Sequence, residues 1–363
     1  MKKLFLLAAL VGVALTGCMK NEVYVPKCET PISFEVANYV AQTRAEGAFD
    51  TAKTFGVDAW SYDATAGTVQ IMENEVVSYD NVNNQWAPSH TYYWPINGTV
   101  DFIAYYPAGD KPEIDHKYAG GDTITYEDYE VTNVDLMYAD KAIRYSQNVS
   151  AYGFTGVPTV FRHALAKVNF KVQNAYPEET NNAAITYEIV VDQIKLNTYH
   201  KGTVILTNSS TTAASLGTWS VDNNVWTVTA DSTTPLTWTS NVNLADNSVV
   251  AYDEKTQYVL PQILDNNVTV EVVYTVSQYQ KIGSTKTLIS KKQYTPEAIK
   301  LNTMGLPSWQ MNKNITYTIS IIAKSNQILF APHVEEWATA TGATTIQEQH
   351  SMQHDCISLD MED

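Results

Sequence analysis

The clearest strand pattern in the chain is Val268-Thr269-Val270-Glu271-Val272-Val273-Tyr274-Thr275-Val276. Every second residue in it is apolar, from the first valine to the last. Successive side chains of a β-strand point to opposite faces of a sheet, so this pattern gives the strand one wholly apolar face. The stretch therefore predicts a strand that covers a hydrophobic core on one side.

Shorter strand-like runs lie along the rest of the chain, separated by turn residues, and no helical period lies between them. The abundance of tyrosine (23) and tryptophan (8), together with many Val, Ile and Thr, favours strands in the same way. Regularly spaced short strands indicate sandwiches or barrels. The runs are 32–36, 54–60, 85–94, 100–106, 168–172, 185–191, 203–206, 225–228, 258–260, 268–276 and 315–322.

The chain has 363 residues, a length that exceeds the usual single domain and predicts about two. A polar segment around Pro177, residues 174–182, interrupts the strand pattern and marks the boundary. We expect an all-β chain with two β-sandwich domains in series, covering residues 45–176 and 177–340. Residues 341–363 form a polar C-terminal tail.

The N-terminus has the layout of an export signal. Lys2 and Lys3 precede an apolar run, residues 4–15, which ends on Thr16 and Gly17. This order is typical of a secretory signal peptide, and the run is shorter than the roughly 20 residues that span a bilayer. Leu15-Thr16-Gly17-Cys18 also resembles the lipobox of bacterial lipoproteins. We predict a signal peptide at residues 1–17, lipidation of Cys18 and attachment to the outer membrane through the lipid.

The net charge limits which partners the chain can bind electrostatically, and the cysteine count limits its disulfide content. The formal net charge of -16 argues against nucleic acid and anionic lipid surfaces as electrostatic partners. Beyond Cys18 the chain has two cysteines, Cys28 and Cys356, which is too few for a disulfide framework. Whether these two form a bridge stays open at the sequence level.

The search for catalytic or metal chemistry finds no motif. His350 and His354 have the spacing of a helical metal pair, but their surroundings lack a helical period. His163 lies at the entrance of an apolar strand, where a structural role is expected. We predict no enzyme activity, no cofactor and no metal. Six tryptophans could form a glycan-binding platform or fill the core, and we favour the core for most of them: Trp60, Trp86, Trp94, Trp219, Trp226 and Trp238.

Several segments, in the same order along the chain, resemble motifs of Bacteroidales-type fimbrillins. Tyr92-Tyr93-Trp94-Pro95 followed by residues 100–107, VDFIAYYP, resembles the tryptophan-proline and aromatic-alanine-tyrosine-proline signature of that family. The resemblance extends over residues 1 to 337. The further matching segments are 161–170 (FRHALAKVNF), 258–262 (YVLPQ), 309–319 with NKNITY at 312–317, and 334–337 (VEEW).

The resemblance implies a type V pilus subunit with two transthyretin-like, Greek-key β-sandwich domains. In that family, a trypsin-like protease cuts the lipoprotein precursor in the loop after the first strand, and the matching site here is Arg44-Ala45. Residues 18–44 would then be a propeptide containing the tether and the first strand. Its loss would remove Ile32, Phe34 and Val36 and expose a hydrophobic groove.

The resemblance also implies that a C-terminal strand of the next subunit fills this groove. The candidate donor strand here contains Ile357, Leu359 and Met361, which alternate with polar residues in an acidic tail. A stalk, anchor or tip role stays open. The partners implied are other fimbrial subunits, the maturation protease, the outer membrane and a host or bacterial surface receptor. One alternative is a lipid-anchored glycan-binding protein that does not polymerise; another is a surface hydrolase whose site has no sequence motif.

Overall fold

A computed structural model of the chain describes residues 30–38, 47–63, 67–175, 184–244, 249–252, 257–322 and 327–337. Within these ranges the chain forms strands and three short 3-10 turns, at Val149–Tyr152, Asp222–Asn224 and Leu301–Thr303, and no α-helix. No helix of the described ranges therefore has the length and apolar character needed to cross a membrane.

The strands, in chain order, are β1 (Phe34–Asn38), β2 (Gly47–Ala48), β3 (Phe55–Asp63), β4 (Gly67–Asp80), β5 (Gln85–Pro88), β6 (Thr99–Tyr106), β7 (Glu113–Asp115), β8 (Asp122–Glu130), β9 (Met137–Ala139), β10 (Lys141–Tyr145), β11 (Val157–His163), β12 (Ala166–Asn174), β13 (Ile185–Tyr199), β14 (Lys201–Asn208), β15 (Ser215–Gly217), β16 (Thr227–Val228), β17 (Thr233–Leu244), β18 (Val250–Ala251), β19 (Gln257–Val259), β20 (Thr269–Ile282), β21 (Thr285–Tyr294), β22 (Ile299–Lys300), β23 (Lys313–Ile322) and β24 (Gln327–Glu336).

The first sandwich is built on a ten-stranded sheet in the order β15-β10-β6-β3-β4-β5-β1-β11-β9, with β2 paired to β1. Strand β9 pairs with β6 as well as β11, so seven strands of this sheet close on themselves. The aromatic core of this closed sheet includes Phe34, Phe55, Phe102 and Phe161. A four-stranded sheet, β16-β14-β8-β7, packs on the other face through a second core to which β6, β8 and β14 contribute.

The second sandwich consists of two five-stranded sheets. One has the order β18-β12-β23-β24 with β19 on β12, and the other has the order β17-β13-β20-β21 with β22 on β20. The alternating stretch 268–276 lies almost entirely in β20. Its five alternating apolar side chains are at most 7% exposed and belong to the core between the two sheets. The predicted strand with one apolar face is confirmed.

The strand pairing does not divide the chain at residue 176, the predicted limit between the two domains. One strand before this residue belongs to the second sandwich, and strands after it belong to the first. Strand β12, which ends at Asn174, pairs in parallel with β23 and belongs to the second sandwich. Strands β14 and β15, which follow residue 176, pair with β8 and β10 of the first sandwich. The predicted all-β fold with two sandwiches is confirmed, whereas the limits 45–176 and 177–340 do not follow this pairing and stay a prediction. The polar segment 174–182 includes the connection between β12 and β13, two strands of one sandwich.

Candidate functional site

Strand β1 lies inside the closed sheet of the first sandwich, between β5 and β11. Its five residues pair in parallel with residues 157–161 of β11. On the other side Phe34 pairs with Trp86 of β5 in the antiparallel direction. A short strand near the chain terminus thus occupies an internal position, where both of its edges have a partner.

Backbone hydrogen bonds extend this pairing to the residues before β1. The Ile32 amide donates to the Tyr92 carbonyl over 2.8 Å, and the Val157 amide donates to the Ser33 carbonyl over 2.7 Å. Departure of the first strand would break both hydrogen bonds and leave the Tyr92 carbonyl and the Val157 amide unpaired. The exposed edges of β5 and β11 would then offer unpaired amides and carbonyls, which are a template for another strand.

Apolar side chains of the first strand fill the core of the closed sheet. Ile32 is 2% exposed and Phe34 is 3% exposed. The Phe34 ring lies 5.9 Å from that of Phe55 and 5.7 Å from that of Phe102, with both pairs edge-on. Val36 packs against the same core but is only half-buried. Burial of an Ile or Phe side chain contributes about 1.5–3 kcal/mol, so removal of the strand would leave a deep apolar groove.

Gly156 allows the backbone of the first strand to approach β11 closely. A Cβ atom on this residue would lie 2.7 Å from the carbonyl carbon of Phe34 and 2.8 Å from the carbonyl oxygen of Ser33. Both contacts are with backbone, which cannot move aside as a flexible side chain can. The groove wall at this point is therefore shaped for a main chain lying directly against it.

Glu75 on β4 holds the segment that receives the first strand. Its carboxylate is buried and accepts hydrogen bonds from the Ser89 hydroxyl over 2.6 Å, the His90 amide over 3.0 Å and the Tyr92 hydroxyl over 3.0 Å. Burial alone would raise the pKa of Glu75, but these hydrogen bonds outweigh it and lower the pKa below its ordinary value. Because Tyr92 also pairs with Ile32, the ionised carboxylate supports one wall of the groove.

We expect the full chain to lose stability in acid as this carboxylate becomes protonated. A carboxyl group whose pKa is lowered by folding stabilises the protein above its unfolded pKa, and that contribution is lost as the pH falls through the folded value. Glu75→Gln should cost about 1 kcal/mol at neutral pH, the scale of one net hydrogen bond. Between neutral pH and about pH 3 it should also flatten the fall in stability, which sets in only below about pH 4.5, the ordinary pKa of a glutamate, because the pKa of Glu75 is lowered from that value. Urea unfolding across this pH range measures both effects; an equally steep fall in the variant would contradict the assignment.

A stack of side chains joins segments that are far apart in the sequence. The His163 ring lies 3.7 Å from the Trp337 ring with 3° between their planes, and its Nδ1 is 2.7 Å from Asp135 Oδ2. Tyr258 stacks near Trp337 at 5.4 Å, and Lys167 Nζ lies 4.1 Å from the Trp337 ring centre. The structural role expected for His163 is confirmed. Three of the motifs noted in the sequence, at 161–170, 258–262 and 334–337, meet here.

The family of the chain follows from a comparison with known protein families. A family model described as Fimbrillin-like matches residues 43–337. The chain belongs to the fimbrillin-like family. The resemblance noted in the sequence motifs is thereby confirmed. No relative was found among curated protein sequences.

Solved structures resemble this fimbrillin-like chain at low sequence identity. A fimbrial protein from Bacteroides vulgatus is 19% identical with a TM-score of 0.54, covering 85% of this chain and 99% of that one. A candidate cell adhesion protein from Bacteroides uniformis is 17% identical with a TM-score of 0.44, again over 85% of this chain and 99% of that one. The first likeness supports the two-sandwich fold.

The tryptophans of this fimbrillin-like chain serve its cores. Five of the six considered for a glycan platform are at most 8% exposed: Trp86, Trp94, Trp219, Trp226 and Trp238. The sixth, Trp60, is half-buried and stacks on His116 at 4.2 Å. The expectation that most of them fill the core is confirmed. Among the residues that the structure describes, no group of three or more His, Cys, Asp or Glu side chains could hold a metal ion.

Several predicted site residues lie outside the described residues. Strand β1 ends at Asn38 and β2 begins at Gly47, so Arg44 and Ala45 fall in the connection between them. The lipidation site and the candidate donor strand also fall outside, as do the two remaining cysteines and the histidine pair of the tail. These residues are Cys18, Cys28, His350, His354, Cys356, Ile357, Leu359 and Met361.

Proposed function

We propose that the chain is a structural or adhesive subunit of cell-surface type V fimbriae, activated by cleavage after Arg44 and assembled by donor-strand exchange. The observation that carries this proposal is the internal position of β1 in a closed sheet. In sequence, the connection that holds Arg44 follows this strand directly. A single cut there would separate the first strand from the rest of its domain without breaking any other strand.

An incoming strand could restore what the first strand provides. It would supply main-chain hydrogen bonds to the edges of β5 and β11, and side chains for the pockets of Ile32 and Phe34. The candidate donor residues Ile357, Leu359 and Met361 repeat the two-residue spacing of Ile32, Phe34 and Val36. This spacing puts their side chains on one face of a strand, as the groove requires.

If the chain is cleaved after Arg44, the lipid on Cys18 would direct the precursor to the outer membrane and hold it there only until cleavage. Cys18 lies on the N-terminal side of Arg44, so cleavage removes the acylated residue together with the first strand. The precursor would reside at the outer membrane and the mature subunit in the fimbrium. Acyl chains contribute about 0.8 kcal/mol per buried methylene, enough for several chains to retain the precursor until it is cut.

Treatment of the purified precursor with a trypsin-like protease tests this proposal. We expect a new N-terminus at Ala45 and a ladder of oligomers on electrophoresis. Arg44→Ala should abolish both, because the basic residue before the scissile bond is lost. Lys53→Ala, at the next basic residue along the chain, is the matched control and should leave both unchanged. Cutting elsewhere with a product that stays monomeric would overturn the proposal.

If the protease-treated chain stays monomeric, the alternative is a surface protein that binds glycans and does not polymerise. Tyr118 is 54% exposed, and the Arg144 guanidinium lies 4.2 Å from its ring centre. An exposed aromatic ring beside a cation could stack on a sugar. Glycan-array binding that is lost in Tyr118→Ala would support this alternative.

A further inference from the structure

A buried cluster of charged side chains connects the two sheets of the first sandwich. Lys141 on β10 is 1% exposed, and its Nζ lies 2.8 Å from Asp101 Oδ2 and 2.9 Å from Asp122 Oδ2. Both carboxyl groups are at most 1% exposed. Asp101 lies on β6 of the ten-stranded sheet, whereas Asp122 lies on β8 of the four-stranded sheet. One lysine thus holds a carboxylate from each sheet.

Hydrogen bonds place both carboxylates in a continuous polar network. Asp122 Oδ1, the oxygen directed away from the lysine, accepts from the Lys117 amide over 3.0 Å and lies 2.5 Å from His116 Nδ1. The other ring nitrogen of His116 contacts the Tyr62 hydroxyl, which donates to Asp101 Oδ2 over 3.1 Å. Tyr62 and His116 therefore connect the two carboxyl groups.

We propose that Lys141 and Asp122 condense to an intramolecular amide bond between the two sheets. Lys141 Nζ attacks Cγ of Asp122, a C–N bond forms, and the bond from Cγ to Oδ2 breaks. Two of the three ammonium protons leave with that oxygen as water, and the third remains on the amide nitrogen. Asp101 accepts the first proton from Nζ and returns it to the departing oxygen. No oxidant, reductant or other reactant is consumed.

The surroundings supply what this condensation needs. Nucleophile and carboxyl group are held in contact by the fold, which replaces a bimolecular encounter by an intramolecular one. Negative charge that develops on Asp122 Oδ1 is met by the Lys117 amide and by His116, a preorganised oxyanion site. Asp101, in contact with Nζ, is positioned as the general base.

The arrangement favours Asp122 over Asp101 as the carboxyl group that is attacked. Asp122 Oδ2 faces the lysine, whereas Asp122 Oδ1 contacts the Lys117 amide and His116 Nδ1. These two contacts polarise the carboxyl group, which makes its carbon easier to attack. Asp101 Oδ2, which contacts the lysine, also accepts a hydrogen bond from the Tyr62 hydroxyl. Because that hydroxyl contacts His116, Asp101 is placed to exchange protons along this network. A bond to Asp122 would fasten the two sheets together covalently, a useful property in a subunit under tension.

Peptide mapping of the purified full chain by mass spectrometry tests the bond. Trypsin should yield residues 118–144 as one fragment, uncut after Lys141 and one water molecule lighter than its sequence. A bond to Asp101 would instead join this fragment to residues 54–117, in which Lys111 precedes Pro112 and resists cutting. The exposed pair Lys117–Asp115, with Nζ and Oδ2 also 2.8 Å apart, is the internal control and should stay unlinked.

Two variants separate the proposed roles. Asp122→Ala removes the electrophile, and Asp101→Asn removes the base, so both should yield the fragment 118–141 at full mass. Cutting after Lys141 with full mass in the unaltered chain would overturn the proposal, whether or not the variants fold. A bond to Asp101 would overturn the assignment of Asp122. Neither readout depends on cleavage after Arg44 or on assembly, so this inference and the proposed function can fail separately.

Discussion

Replacing Phe34 with alanine is expected to lower the free energy of unfolding of the uncut precursor by about 3–5 kcal/mol. The side chain is 3% exposed and its ring makes edge-on contacts with Phe55 and Phe102. Truncation would leave a cavity within the closed sheet, since the surrounding rings belong to paired strands and can collapse only in part. Urea unfolding of the precursor measures the loss.

The same substitution should leave the assembled fibre unchanged, because the proposed cleavage after Arg44 would discard Phe34 with the propeptide. Val82→Ala, at a side chain that is 87% exposed, is the control and should affect neither form. The contrast between precursor and fibre is the informative result. Equal destabilisation of both forms would mean that the first strand stays in place and that no exchange occurs.

Replacing Gly156 with alanine is expected to affect both forms. The added Cβ would meet the backbone of Ser33 and Phe34 at less than 3.0 Å, so the first strand must shift away from β11. Overpacking of this kind costs about 1–3 kcal/mol. A donor strand that takes the same place would meet the same obstacle, so oligomer ladders should weaken after cleavage. Unfolding of the precursor and electrophoresis of the cut protein measure the two effects.

Gly109→Ala provides the matched control for Gly156→Ala. No atom beyond its immediate chain neighbours lies within 4 Å of a Cβ at that glycine, so unfolding and assembly should both stay as in the unaltered chain. If Gly156→Ala weakens the precursor but assembles normally, the incoming strand does not follow the path of the first strand.

The position of the first strand could be predicted only in part from the sequence. The alternation at residues 32–36 identified a strand because side-chain periodicity is a local signal. It also implied that Val36 would be buried like Ile32 and Phe34, whereas Val36 is half-buried and Ala37 is 4% exposed. Ala37 is buried although the pattern did not point to it, because the small side chain of alanine contributes little to a hydropathy pattern.

Pairing between distant segments could not be predicted from local patterns. Nothing in the run at residues 168–172 indicates that β12 pairs with β23 rather than with its predecessors. The cluster of Lys141, Asp101 and Asp122 escaped detection for the same reason, since its members are charged residues that lie 19 to 40 positions apart. Their burial depends on which strands the topology brings together.

Hydrogen exchange at β11 reports whether the first strand leaves the closed sheet and whether another strand replaces it. The Val157 amide donates to Ser33, and residues 157–161 pair with the first strand. We predict slow exchange at the Val157 amide in the precursor, fast exchange in the cut monomer and slow exchange again in the fibre, because an incoming strand restores the hydrogen bond that Ser33 accepts. Exchange that remains slow in the cut monomer would contradict donor-strand exchange, since the groove would then never open.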